Sequence, residues 1–207
     1  MKKTITEVQL KAKIFQMVRE QLEEQPKKYV SDYSEPAQTL FNYAEKCDIL
    51  KETLNEYAQQ LENIIDEVNN AIAEVLGTEF AKKFWTSGDE VEILVNLQQK
   101  DFVAIKNYLM QHQNEFSEQF SEYGDYEGMN IEEVVNDPNT MLEFIGNVLE
   151  AKADEINNGL NGFSVRMSSF GQKENLQNFT YTNTISAEIS CPIDFNKLEG
   201  ITEIADI

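Results

Sequence analysis

Apolar residues recur from Leu40 to Val75 at spacings that alternate between three and four: Leu40, Tyr43, Cys47, Leu50, Leu54, Tyr57, Leu61, Ile64, Val68, Ala71 and Val75. An unbroken coiled-coil-type heptad register of this kind predicts one long helix, about 40 residues over 36–76, with a continuous buried stripe. Pro36 falls in its first turn, where a missing amide costs no hydrogen bond, and Gly77 stands just past its last turn. Such a helix would span roughly 60 Å at ~1.5 Å per residue. That exceeds the width of a small domain, so the stripe must be covered by shorter helices or by a second copy. With Leu40 as an a position, the e positions are Ala44, Lys51, Ala58, Ile65 and Ile72. Four of the five are apolar, so the stripe is too wide for a two-stranded seam and fits a bundle of three or more helices.

The same reading places a helix over 5–24, with Thr4 and Glu7 as a capping box and Pro26 as its stop, followed by a loop over 27–35. Phe80, Phe84 and Trp85 in 78–88 suggest a short helix or turn on the end of the bundle. Val91, Ile93 and Val95 alternate with Glu92 and Leu94, which suits a short strand and competes with a helix starting at Asp89. A further helix from Asp101 carries Phe102, Ile105, Leu109, His112, Phe116 and Phe120, and the Tyr123–Gly128 segment breaks it. A short helix over 130–136 precedes another that is capped by Asp137-Pro138. The latter is lined by Met141, Phe144, Ile145, Val148 and Leu149 and stopped by Asn157-Asn158-Gly159.

The period changes after Gly162. Phe163, Val165 and Met167, then Phe179, Tyr181, Ile185, Ala187 and Ile189, alternate with polar residues, many of them threonine. This predicts a C-terminal antiparallel β-hairpin joined through 170–178, with Pro192 ending the ladder and a loosely held tail to Ile207. Two strands alone are marginal. They must pack on the helices, pair with the Val91–Val95 segment or add to a neighbour's sheet. The expected fold is therefore α+β and mainly α: a helical bundle over 1–160, with acidic helices in 101–158, and a hairpin and tail over 161–207 packed on the same domain.

Composition narrows the functional classes. The 207 residues carry a formal charge of −20, which disfavours direct binding of nucleic acid or an anionic membrane. No run approaches the ~18 apolar residues of a membrane span, and Glu7, Gln9 and Lys11 interrupt any signal-like segment. Cys47 and Cys191 have no CxxC spacing, so a reducing, cytoplasmic setting is expected, and Asn178-Phe179-Thr180 is a chance sequon. The single histidine, His112, lies on an apolar helix face and reads as structural. There is no Ser or Cys triad, no zinc-type spacing, no GxxxxGK[ST] and no GxGxxG. Asp125, Glu127 and Asn130 fit no register of a calcium loop. No cofactor, metal or catalytic residue is expected.

Charge distribution is the remaining signal. Residues 1–36 are close to neutral, whereas no Lys or Arg occurs between Lys106 and Lys152. That interval includes Glu143 and Glu150, and its acids interleave with aromatics in its first half. Glu115, Glu118, Glu122, Tyr123, Asp125, Tyr126, Glu127, Glu132 and Glu133 form the candidate partner-binding surface, suited to a basic protein. A plain solvated face is the competing reading. The leading expectation is a non-catalytic interaction protein, a structural or assembly component of a virus particle or other multi-subunit complex. Self-association would use the 40–75 stripe or the 163–189 hairpin. A second expectation is a DNA mimic that inhibits a nucleic-acid-binding enzyme or defence complex. A third, a carboxylate–metal enzyme, lacks the Glu-x-x-His pairs of di-iron bundles, since Leu109 stands three residues before His112.

Overall fold

The computed structural model describes residues 29–47, 49–116, 130–171 and 183–199. The expected helix over 5–24 lies outside them. Contacts divide the chain into Met1–Tyr33 and Ser34–Ile207. Of the first unit the described part is a single 3-10 turn, Val30–Asp32, in which the Asp32 carboxylate accepts from the Tyr29 amide at 3.1 Å.

The second unit is a mixed helix and sheet structure with an antiparallel four-stranded sheet. Its elements run α1 (Glu35–Ala44), α2 (Lys51–Leu76), β1 (Lys82–Ser87), β2 (Glu90–Leu97), α3 (Gln99–Gln111), α4 (Ile131–Asn136), α5 (Pro138–Asn157), β3 (Ser164–Gly171), β4 (Asn183–Ser190) and α6 (Phe195–Glu199).

The heptad segment is two helices rather than one. Helix α1 ends at Ala44 in a tightened turn, with Glu45 N–H donating to Phe41 and Lys46 N–H to Tyr43, and α2 starts at Lys51. The Ser34 amide at the head of α1 donates to the Glu62 carboxylate, halfway along α2, at 2.7 Å. A residue before the turn thus meets one an equal distance after it, so α1 folds back along α2 as a helical hairpin. The fold-back explains why the register survives the break: each arm still needs one apolar stripe, and the two stripes face each other. Leu40 and Ala44 enter the same core as Leu54, Ala58, Leu61, Ile64, Ile65, Val68, Ile72 and Val75. The stripe is therefore buried within one chain. Leu50, expected in the core, sits at the start of α2 and is 37% exposed. Glu62 is only 5% exposed; its carboxylate lies at the positive end of α1, which offsets its burial.

Gly77 closes α2 in the left-handed conformation at φ 76°, its amide donating to Ala73 at 2.8 Å. The Tyr108 ring of α3 lies directly over it, leaving no space for a side chain. From Tyr108 a run of edge-on aromatic contacts passes through Phe116 to Phe144 of α5, at 6.4 and 6.2 Å.

The 78–88 segment, expected to be a helix or turn, holds strand β1 instead. Its lysines and exposed Trp85 give it no clean alternation because it is an edge strand with one side in water. Gly88, at φ 60°, makes the tight turn into β2, with Ser87 opposite Glu90. The sheet order is β1-β2-β4-β3. The C-terminal hairpin is thus half of a larger sheet: β4 pairs with β3 on one side and with β2 on the other, the pairing to Val91–Val95 that the sequence allows. Phe179 and Tyr181 lie outside the described residues. The rows Val91–Ile189–Val165 and Ile93–Ala187–Met167 form the buried face.

The tail is held as far as it is described. Phe195 and Leu198 are buried, and the Cys191 and Phe195 amides donate to the Asp89 and Gly88 carbonyls of the β1–β2 turn at 2.6 and 2.7 Å. Burial, and secondarily the Asp89 charge, pushes the Cys191 thiol up to about 12, so it is inert as a nucleophile at neutral pH.

The two-helix arrangement separates Leu61 from Leu50. Leu61→Ala should cost about 2–5 kcal/mol in urea unfolding, and Leu50→Ala well under half of that. Equal losses would restore the single continuous helix.

Candidate binding surface

The expected acidic surface is only partly within the described residues. Glu118, Glu122, Tyr123, Asp125, Tyr126 and Glu127 lie outside them, as does Phe120. Glu115, Glu132 and Glu133 are exposed, and two of the three have local structural work. Glu115 accepts from or pairs with His112 Nδ1 at 3.0 Å beyond the end of α3, and the His112 ring stacks 4.3 Å from Tyr108. Burial, followed by the Glu115 and Glu74 carboxylates, pushes the Tyr108 phenol above its usual range. Glu133 completes a capping box at the head of α4: its carboxylate takes the Asn130 amide at 3.0 Å, and the Asn130 side chain takes the Glu133 amide at 3.1 Å. Glu132 points to solvent beside it.

A better-formed concavity lies one helix further on, between α5 and β3. Its volume is about 340 Å³. Helix α5 contributes Asn139, Glu143, Asn147 and Glu150, which recur every three or four residues and so share one face. Strand β3 contributes Met167, Ser168 and Ser169. Glu143 and Glu150 are exposed and have no cation partner among the described residues. The only lysine of α5, Lys152, turns away to Glu74 of α2 at 2.7 Å.

Sequence dictates how closely the two walls approach. Helix α5 starts at Asp137-Pro138, where the Asp137 carboxylate accepts from the Thr140 amide and hydroxyl at 2.8 and 2.7 Å. These bonds hold the Asp137 carboxyl below the usual carboxylate range. Two turns on, Gly146 lets the helix settle against β3. A Cβ there would strike the Ser169 hydroxyl, which donates to the Leu142 carbonyl of α5 at 2.7 Å. At the far end Asn157 reaches back to β3: its side-chain oxygen accepts from Val165 N–H at 2.7 Å, and its amide donates to Val165 C=O at 2.8 Å. The groove is thus a helix and a strand edge pinned together at both ends.

Electrostatics differ at the two sheet edges. Edge β1 carries Lys82 and Lys83. Burial lowers the Lys82 amine below its usual range, against the pull of Glu79 and Asp66. Edge β3 faces the carboxylates of α5. Its one cation, Arg166, projects from the opposite sheet face, 81% exposed and 3.5 Å from Glu188.

Glu143 and Glu150 belong to the acids of the lysine-free interval, but nothing in the sequence assigns them to a surface. The serines and Met167 of β3 gave no signal beyond strand periodicity. Among the described residues no cluster of three or more His, Cys, Asp and Glu side chains is placed to hold a metal ion, and no helix is long and apolar enough to cross a membrane. No family model, curated protein or solved structure matches the chain.

Two measurements check this geometry. Gly146→Ala and Ser169→Ala should be coupled by about 1 kcal/mol or more in a double-mutant cycle. Alone, the alanine at 146 displaces the Ser169 hydroxyl. With Ser169→Ala already present, it should show the ordinary gain of a helical glycine-to-alanine change. Because folding lowers the Asp137 pKa, the stabilisation it gives is complete above about pH 4 and is lost as pH falls through the lower native value. Asp137→Asn should therefore flatten the decline of the urea midpoint with acidification, and an unchanged decline would remove the carboxylate from the cap.

Proposed function

We propose that the protein acts by binding other proteins rather than by catalysis, as an acidic structural or assembly component that docks a basic partner. The observation that carries this reading is the α5 face. Two carboxylates stand exposed there with no cation partner among the described residues, on a helix whose other faces are buried in the core. Carboxylates held on a rigid element, in a chain of net charge −20, attract a cationic surface over several ångströms and orient it on approach. The described acids are spread over all six helices and over strands β2 and β4. That breadth supports a protein-docking exterior more than imitation of a single phosphate backbone.

Titrating the full chain with an arginine-rich peptide and with its glutamine counterpart, at low and high salt, tests the proposal. Saturable binding of defined stoichiometry is expected for the cationic peptide alone, weakening as salt shortens the Debye length from about 10 Å at 0.1 M. Absence of binding, or equal binding of the neutral peptide, would overturn it.

A further inference from the structure

We propose that the groove between α5 and β3 captures an extended basic segment of a partner protein, which adds to the sheet as a fifth strand. This rests on the docking function above and names its mode. The direction of the β3 backbone carries the argument. Both hydrogen-bonding groups of Val165 point away from β4, into the side-chain amide of Asn157, at 2.7 and 2.8 Å. In an antiparallel ladder, alternate residues turn their N–H and C=O to the same side. Met167 and Ser169 therefore present theirs along the same outward edge. Among the described residues nothing takes those groups, and β3 is the end strand of the sheet. Asn157 is in effect the first rung of a fifth strand, and among the described residues the next rungs have no partner.

The groove fits that use. It runs along Met167–Ser169 and is walled by α5, so a strand laid on the edge turns every second side chain toward Glu143 and Glu150. These two lie seven positions apart on the helix, roughly 10 Å. Lysines two or four places apart on a strand, about 7 or 14 Å, reach both. The segment that fits alternates basic residues, facing α5, with small residues on the other face, where β3 carries Arg166 and Ser168. A second copy of this chain is the poorer occupant. Pairing β3 with its symmetry mate would set two α5 carboxylate rows side by side, like charge against like. The opposite edge is guarded by Lys82 and Lys83, which blunt strand addition there and repel a basic segment.

The test uses the full chain and an alternating lysine–valine octapeptide. A second version is N-methylated on the alternate residues whose amides would face β3. Expected are saturable one-to-one binding, slowed amide exchange at Met167 and Ser169, and a loss of about ten-fold or more on N-methylation, as expected when edge hydrogen bonds go. Glu143→Lys with Glu150→Lys should weaken binding at least as much, and Glu52→Lys with Glu56→Lys, on the exposed face of α2, should not. If the arginine-rich peptide binds but the octapeptide does not, or if N-methylation or the α5 charges make no difference, strand capture is overturned and basic docking stands. If neither peptide binds, the docking function itself falls. Light scattering that shows a dimer, with Met167 and Ser169 already protected without peptide, would give the edge to a second copy and also overturn the proposal.

Discussion

Helix α5 is buried on two sides at once, and the rest of the domain is arranged around that constraint. Met141, Phe144, Ile145, Val148 and Leu149, together with Leu142 and Ala153, leave it only a narrow wet face. It packs on α2 and α4 as well as on β3, so it joins the helical hairpin to the sheet. A helix so enclosed cannot roll or slide without opening one interface to water. Its polar row of Asn139, Glu143, Asn147 and Glu150 is fixed beside the strand edge as a by-product of core packing. The groove's geometry is therefore as rigid as the hydrophobic core behind it.

Much of this architecture is legible in the chain, and the failures have physical causes. The apolar stripe of 40–75 is real almost residue for residue, including its widening through Ala58, Ile65 and Ile72. The break at 45–50 carries no glycine or proline. It is made by tertiary burial of α1 on α2, which local periodicity cannot register. The Asp137-Pro138 start is local chemistry and was visible. Strand β1 was not, because an edge strand with lysines and an exposed tryptophan lacks alternation. The surface followed the same rule. An excess of acid between Lys106 and Lys152 could be counted, but the neighbour of Glu143 and Glu150 is a strand edge that comes later in the chain. Glu133, by contrast, belongs to a cap whose Asn-x-x-Glu spacing stood in the sequence.

The sheet has two edges with different chemistry. On β1 the lysines keep the chain from templating another strand. On β3, Asn157 satisfies one rung with a side chain, the polar wall of α5 stands over the next, and the edge remains wet rather than apolar. An edge kept polar in this way avoids indiscriminate aggregation.

The clasp between the β1–β2 turn and the chain after β4 also sets an order of events. The α1–α2 hairpin closes on local contacts and can form early. Strand β2 must wait: its inner neighbour β4, and the Cys191 and Phe195 amides that fill the Asp89 and Gly88 carbonyls, are synthesised only after α3, α4, α5 and β3. During that interval Val91, Ile93 and Val95 belong to an unpaired apolar edge, the state most exposed to misassembly on the ribosome. The edge that the finished fold hides is thus exposed longest while the chain is being made, and the end strand β3 is among the last to form.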